Sequence, residues 1–185
     1  NLLTKTIGSY EQTLRLLTQY LEDNYKVKSA GDTKKLHIRE YIKYLQERGK
    51  YTVVSNQNSK IINFPENRED YGKKISTTTI NNYIRNIKVF YNYLYENRYI
   101  MTNPVARIKE IKCARKVVGF IGDENFNRLL KAFDLSKFHE YRDYVVAQLI
   151  FDTGMRLGET LAIEETDIDF IRRTILLRAE ITKGK

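Results

Sequence analysis

Hydrophobic residues recur at helical spacing in three stretches of the first hundred residues. In stretch 9–23 they recur every three or four positions, with Ser9 placed as an N-cap, and stretch 38–45 repeats the pattern. Stretch 80–94 carries the most regular apolar stripe in the chain, and the polar run 76–79 is suited to cap its start. The pattern therefore predicts three amphipathic helices.

Between the second and third helices, residues 50–75 lose the helical period. They combine β-branched residues with Asn, Pro and Gly, which is typical of a long loop or a small hairpin. Gly49, just before this stretch, is a plausible end for the second helix. Loops of this length in compact domains are commonly functional, and the sequence leaves the role of this one open.

The periodicity changes again after the third helix. At Pro104 a helix must already have ended, because the residue before proline disfavours the α conformation. Residues 103–118 are basic and have no sustained period, so we predict an interdomain linker there. The predicted organisation is a helical domain at 1–102, the linker at 103–118 and a second domain at 119–185.

The second domain is predicted to begin with a short helix that Asp123 caps and that runs through Phe133. A nearly continuous apolar helix at 144–151 follows, and its lack of a polar face predicts burial. Gly154 is suited to terminate it in a left-handed conformation, and a new short helix is predicted from about Arg156 to near Ile163. The β-branched tail from 172 onward favours a strand leading into a turn.

Charge is distributed unevenly between these regions. The net charge of the chain is +9. Residues 1–118 hold 22 Lys and Arg against 11 Asp and Glu, or +11, whereas residues 119–185 hold 10 against 12, or −2. A strongly basic protein tends to meet a polyanion, so the basic first region points to nucleic acid, although a merely solvated basic surface is the alternative.

Composition excludes several other classes of site. One cysteine and two histidines are too few for a disulfide framework or a zinc site, so we expect no metal and an inert thiol at Cys113. No apolar run approaches the roughly 20 residues of a membrane-spanning helix. The polar start is unlike a secretory signal peptide, and we expect a cytoplasmic protein without a membrane partner.

The most informative stretch is TGMRLGE, residues 153–159, which places Arg156 in the first turn of a helix. The helix dipole disfavours a cation there unless an anion compensates. Free amides at a helix start, together with a guanidinium, would bind a phosphodiester well, and Glu159 lies on the same face as a support for Arg156. An ordinary i, i+3 ion pair is the alternative interpretation.

TGMRLGE resembles the T-G-x-R-x-x-E motif of tyrosine recombinases of the phage-integrase type. Stretches 120–133 and 161–170 resemble the segments that flank this motif, and TKGK, residues 182–185, resembles the hairpin that carries the family's catalytic lysine. SYEQTLRLLTQYL, IREYIKYLQERG and the stretch 77–105 resemble the family's DNA-binding domain. The resemblance implies a mainly α fold, a helical SAM-like core-binding domain followed by the truncated start of an α+β catalytic domain.

The resemblance also implies residue roles. Arg156 would stabilise the phosphorane-like transition state, Glu159 would support it, and Lys183 would protonate the leaving 5′-oxygen, with Lys185 as the alternative. The family needs no cofactor, since a tyrosine nucleophile conserves the bond energy. Its His-x-x-Arg motif and nucleophilic tyrosine lie beyond the lysine hairpin, so we expect a fragment that binds DNA and does not cleave it.

The implied partner is double-stranded DNA with inverted-repeat sites, bound by a homotetramer when the protein is full-length. A bacterial, phage or mobile-element origin would fit this activity in integration, excision or resolution. Two other functions stay open, a non-catalytic module that occupies recombination sites and a basic helical adaptor for RNA or protein. The candidate DNA contacts are Lys73, Lys74, Thr77, Asn81, Arg85, Lys88, Arg115 and Lys116.

Overall fold

The computed structural model describes residues 4–54, 56, 58, 61, 64–114, 119–179 and 182, except the side chain of Lys5. The chain divides into two compact units, Asn1–Arg115 and Lys116–Lys185. The described residues form six α-helices and one two-stranded antiparallel sheet, which confirms the mainly α fold. None of these helices combines the length and apolar character needed to cross a membrane.

The first unit packs three long helices around one apolar core. They are α1 (Thr4–Tyr25), α2 (Lys35–Glu47) and α3 (Thr77–Glu96). Each turns one stripe inward because its apolar residues recur every three or four positions. The core comprises Leu17, Leu21, Ile38, Tyr41, Leu45, Ile80, Ile84, Ile87, Tyr91, Ile100, Val105 and Ile108.

Of the two N-caps predicted for helices of the first unit, one is confirmed and one is wrong. The capping of α3 is confirmed, since the Ser76 hydroxyl accepts the backbone N–H of Thr79 at 3.2 Å. The predicted cap at Ser9 is wrong, because α1 begins at Thr4 and Ser9 lies inside the helix. There the Ser9 carbonyl accepts a hydrogen bond from the Thr13 hydroxyl at 2.8 Å.

The stretch between α2 and α3 is closed at its base by a short antiparallel contact. Lys50 N–H donates to the Lys73 carbonyl at 2.8 Å, and Gly72 N–H donates to the Lys50 carbonyl at 3.0 Å. A Cβ added at Gly49 would lie 2.7 Å from the Cα of Gly72, too close for any side chain. Gly49 is therefore needed for this close approach, and α2 ends two residues earlier, at Glu47.

The structure differs from the predicted linker in its first part. Val105 and Ile108 are buried in the core of the first unit. The side-chain amide of Asn81 binds the backbone of Ile111 through both its nitrogen and its oxygen. The nitrogen donates to the carbonyl and the oxygen accepts the N–H, each at 2.9 Å. Residues 103–111 thus belong to the first unit, because two apolar side chains three positions apart follow Pro104 and reach the core.

The second unit contains shorter elements. Helices α4 (Asp123–Leu130), α5 (Phe138–Thr153) and α6 (Leu157–Thr160) precede strands β1 (Ile168–Asp169) and β2 (Thr174–Ile175). The strands pair Ile168 with Ile175 and Asp169 with Thr174.

Two details of the first helix of this unit correct the sequence prediction. The N-cap of α4 is Gly122 instead of Asp123, which is the first helical residue. The helix also ends at Leu130, before Phe133. The acidic residues Asp123 and Glu124 instead occupy the first turn, where the helix dipole favours negative charge.

The predicted burial of α5 is wrong. Its described side chains are exposed or half-buried, and none is fully buried. Its packing includes aromatic pairs, with the Phe126 and Phe151 rings stacked at 3.8 Å and the Phe133 and Tyr144 rings edge to face at 6.2 Å. The described part of this unit offers too few neighbouring elements to cover the apolar stretch 144–151 of α5.

Candidate phosphate site and nucleic-acid interface

Arg156 is positioned by a sharp turn at the end of α5. Gly154 ends the helix with φ 69°, a left-handed conformation, and its N–H donates to the Ile150 carbonyl at 2.9 Å. The N–H of Met155 then donates to the Thr153 hydroxyl at 3.3 Å. Arg156 follows in an extended conformation as the N-cap of α6, which confirms the glycine turn predicted from the sequence.

Glu159 holds the Arg156 side chain and backbone together. A guanidinium N–H of Arg156 donates to Oε1 of Glu159 at 2.6 Å, and the Arg156 backbone N–H donates to Oε2 at 2.9 Å. The side chain of Glu159 is 8% exposed, whereas that of Arg156 is 67% exposed. A buried carboxylate therefore orients a guanidinium that remains accessible to an anion.

One part of the predicted phosphate site needs correction. The sequence suggested free backbone amides at a helix start, but α6 has only four residues and the Arg156 N–H is bonded to Glu159. The anion-binding capacity of this turn consequently rests on the guanidinium of Arg156, since a planar fork of N–H donors matches two oxygens of a phosphate.

A second arginine, which sequence analysis missed, organises the segment after α6. Arg178 donates to Oε1 of Glu164 at 2.9 Å and to the Ala162 carbonyl at 3.1 Å, and it lies 3.2 Å from Oδ2 of the buried Asp167. Oδ2 of Asp167 also accepts the Glu164 N–H at 2.9 Å. Arg178 thus ties the chain after β2 to the segment that precedes β1.

The candidate general acids cannot be placed. Lys183 and its alternative Lys185 lie outside the described residues, so the roles implied for them stay predictions. In the described ranges no three His, Cys, Asp or Glu side chains are grouped as a metal site would require.

In the first unit, the predicted contacts on α3 form one stripe. Thr77, Asn81, Arg85 and Lys88 follow each other at intervals of four, four and three residues, which places them along one side of the helix. Thr77 and Lys88 are half-buried and Arg85 is exposed. Asn81 is the exception, because it is buried and its amide binds the backbone of Ile111. Its role is structural.

Arg85 already has a partner in the free protein. Its Nε donates to Oε1 of Glu110 at 3.0 Å and its Nη2 donates to Oε2 at 2.7 Å. The hydrogen bond from Arg85 lowers the pKa of Glu110, and the positive charge of Lys88 contributes in the same direction. A carboxylate from the segment after Pro104 therefore pairs with one cation of the α3 stripe.

The remaining predicted contacts lie elsewhere. Lys73 and Lys74 are exposed at the base of the stretch between α2 and α3, just before the first turn of α3. Arg115 and Lys116 lie outside the described residues. The structure thus gathers Lys73, Lys74, Thr77, Arg85 and Lys88 at and along α3.

Helix α2 carries basic residues that sequence analysis did not select. Lys35, Arg39 and Lys43 are spaced four residues apart, so they lie along one face of the helix. Arg39 and Lys43 are exposed and Lys35 is half-buried, and in the described part of the chain none of the three forms an ion pair. The same spacing in KLHIREYIK would have revealed this row.

No protein-family model matches the chain. It is 33% identical over 114 residues to a tyrosine recombinase of Thermosipho africanus, a match that covers 62% of this chain and 39% of that protein. It is 25% identical over 180 residues to tyrosine recombinase XerC of Bacillus pumilus, which covers 95% of this chain and 57% of that protein.

Tyrosine recombinase XerD of Staphylococcus epidermidis is 24% identical over 170 residues, which covers 92% of this chain and 49% of that protein. The chain thus spans about half the length, or less, of these curated relatives. The matches to XerC and XerD run through both units and include the turn that presents Arg156. The chain is thus similar to tyrosine recombinases over most of its length.

Proposed function

We propose that this chain supplies the DNA contacts and the first catalytic residues of a site-specific recombinase, which cleaves and rejoins DNA through a phosphotyrosyl intermediate. The observation that carries this proposal is the Arg156–Glu159 pair, in which an accessible guanidinium is held by a buried carboxylate. The similarity to tyrosine recombinases over nearly the whole chain supports the same function.

Arg156 would act on the phosphate during strand cleavage. A guanidinium placed against the two non-bridging oxygens stabilises the negative charge that builds up as the nucleophile attacks. Glu159 would act as a positioning residue, since its two bonds to Arg156 fix the direction of the fork before DNA arrives. Lys183 would give a proton to the departing 5′-oxygen. The attacking tyrosine would be supplied by the part of a full-length recombinase that this chain does not span.

Contact with the duplex would be made by the basic rows on α2 and α3. Phosphate contacts by Lys and Arg release counterions from DNA, so each one adds roughly 0.9 to the slope of log affinity against log salt. Among the exposed cations in these rows, Arg39 and Lys43 are unpaired. They are the strongest candidates for phosphate contacts.

The catalytic proposal is tested in the complete protein, on nicked duplexes that trap the covalent intermediate. Arg156→Ala is expected to abolish the covalent protein–DNA product and to leave duplex binding near normal. Arg172→Ala removes a more exposed arginine of the same unit and serves as the matched control. Near-normal trapping by Arg156→Ala would remove this residue from the mechanism.

The DNA-contact proposal is tested by titrating a labelled duplex against salt with the 185-residue chain. Lys43→Ala is expected to lower the salt slope by roughly 0.9, whereas Lys131→Ala, an exposed lysine on the second unit, is expected to leave it unchanged. Binding without salt dependence, or equal binding to single-stranded RNA, would favour an adaptor instead. Assembly as a homotetramer on inverted repeats, a cytoplasmic location and a mobile-element origin remain predictions.

A further inference from the structure

Glu110 faces Arg85 in the same geometry that a phosphate would adopt. Two oxygens of the carboxylate accept from Nε and Nη2 of the guanidinium at 3.0 and 2.7 Å. Arginine binds carboxylates and phosphates with the same pair of parallel N–H bonds. A carboxylate in this position therefore occupies the donors that a DNA phosphate would use.

The position of Glu110 is fixed by its neighbours along the chain. Two residues before it, Ile108 is buried in the core of the first unit. Immediately after it, Ile111 is bound to Asn81 of α3 by two hydrogen bonds of 2.9 Å. The backbone that carries Glu110 is therefore held against α3, and its carboxylate is presented to Arg85 at little further cost in backbone entropy.

The pair is also open to solvent. The Arg85 side chain is 57% exposed and that of Glu110 is 40% exposed, so an incoming polyanion can reach the guanidinium. Exposed ion pairs are weak and are screened by salt, so a phosphate can displace the carboxylate. Arg85 also donates from Nη1 to Oδ1 of Asn82 at 3.2 Å, a bond that can hold the guanidinium on this face while its partner changes.

We propose that Glu110 is an intramolecular competitor for DNA phosphate, which occupies Arg85 in the free protein and is displaced when duplex DNA binds. This inference rests on the proposed DNA contact of α3. Displacement leaves the carboxylate close to the duplex and facing phosphates, which weakens binding further. Glu110 would thereby restrain sequence-independent affinity, since that affinity is mainly electrostatic.

The experiment is a salt titration of the 185-residue chain against a fluorescein-labelled duplex of arbitrary sequence. Glu110→Gln is expected to tighten binding at low salt by roughly 2- to 10-fold and to steepen the salt slope by about 1. Glu22→Gln on α1 removes an exposed carboxylate that makes no ion pair and is the control for net charge. In an Arg85→Ala background, most of the gain from Glu110→Gln is expected to vanish.

Two outcomes would overturn the competitor role: equal gains from Glu110→Gln and Glu22→Gln, or a full gain in the Arg85→Ala background. Failure of the unsubstituted chain to bind duplex DNA would instead defeat the proposed function, so the two failures are distinguishable. A measurement without substitutions is the ¹³C chemical shift of the Glu110 carboxyl carbon. It should move when duplex is added, and a constant shift under saturating duplex would also overturn the proposal.

Discussion

The two units of this chain treat apolar side chains in opposite ways. The first unit gathers twelve apolar residues into one buried cluster. In the described part of the second unit, Phe126 is the one buried apolar residue, while Phe138, Phe170 and Ile171 are largely exposed. Hydrophobic sequence therefore does not by itself create a core, because burial requires enough neighbouring elements to cover each apolar face.

The units also differ in how they use charge. Cations predominate in residues 1–118 and carboxylates slightly predominate in residues 119–185. In the first unit, the cations of α2 lie in an open row, whereas in the second unit Arg156 and Arg178 are each held by carboxylates. A row of unpaired cations suits the extended negative surface of a polyanion, whereas a cation oriented by a carboxylate suits a single phosphate group.

The comparison is tested most strongly by truncating leucines. Leu45 is fully buried in the first unit, so Leu45→Ala is expected to lower the free energy of unfolding by about 2–5 kcal/mol. Leu176 in the second unit is 70% exposed, and Leu176→Ala is expected to change it by less than about 0.5 kcal/mol. Urea denaturation followed by far-UV circular dichroism measures both, and similar losses would contradict the contrast in packing.

Replacing one glycine by alanine in each unit should change stability in opposite directions. At Gly49 an added Cβ would meet the backbone of Gly72 at 2.7 Å, so Gly49→Ala is expected to cost about 1–3 kcal/mol. At Gly158 in α6 an added Cβ meets nothing within 4 Å, and Gly158→Ala is expected to gain roughly 0.5–1 kcal/mol. Gly8→Ala in α1 is equally unobstructed and serves as the control within the first unit.

Both glycine effects are measured by thermal unfolding. A stabilising Gly49→Ala would show that the contact between the segments around Gly49 and Gly72 is not part of the fold. A destabilising Gly8→Ala would instead point to contacts of α1 that are absent from the described residues.

Replacing a helical asparagine by alanine should also cost more stability in the first unit than in the second. Asn81→Ala breaks two hydrogen bonds to Ile111 and leaves polar groups without partners, with an expected cost of about 1–2 kcal/mol. Asn127→Ala on the exposed surface of α4 is expected to change stability by less than about 0.5 kcal/mol. Hydrogen exchange at the Ile111 amide should accelerate only in Asn81→Ala, and unchanged protection would mean that another group holds this segment.

The smallest effect concerns pH and should be shared by both units. The Arg85 hydrogen bond lowers the pKa of Glu110, and hydrogen bonds from Ser136 and Lys137 lower the pKa of Asp134. A carboxyl whose pKa is lower in the folded state stabilises that state above its unfolded pKa. This contribution is lost as pH falls through the folded value.

The midpoint temperature of unfolding should therefore decrease as the pH drops below 4.5, the ordinary pKa of a glutamate. The decrease should be smaller in Glu110→Gln and in Asp134→Asn. Circular dichroism melts at a series of pH values measure this. An unchanged acid dependence in both variants would show that other carboxyls dominate it.

Much of the first unit could be predicted from its sequence. Stretch 80–94 and the cap at Ser76 were correct because helical periodicity and capping are local properties. The fate of residues 103–111 could not be predicted in this way. Val105 and Ile108 are two apolar residues in a basic stretch, and only their tertiary contacts show that they join the core.

The sequence predicted the residue pair at the candidate site correctly, but it predicted the hydrogen bonding there only in part. The spacing of Arg156 and Glu159 predicted their contact, which the structure contains at 2.6 Å. It did not reveal that Glu159 also binds the Arg156 N–H, which removes that amide from the predicted anion site. The pairing of Arg85 with Glu110, 25 residues apart, is a tertiary contact that no local pattern encodes.

The clasp between Asn81 and Ile111 has a practical consequence for dividing this protein. A shortened version that ends at residue 102, the boundary predicted from the sequence, would discard Val105, Ile108 and both partners of the Asn81 amide. It would expose a gap in the core and unfold at lower temperature. A domain exchange with a relative should likewise join the two chains after residue 111. Residues 103–111 then stay together with α3, the helix that binds them.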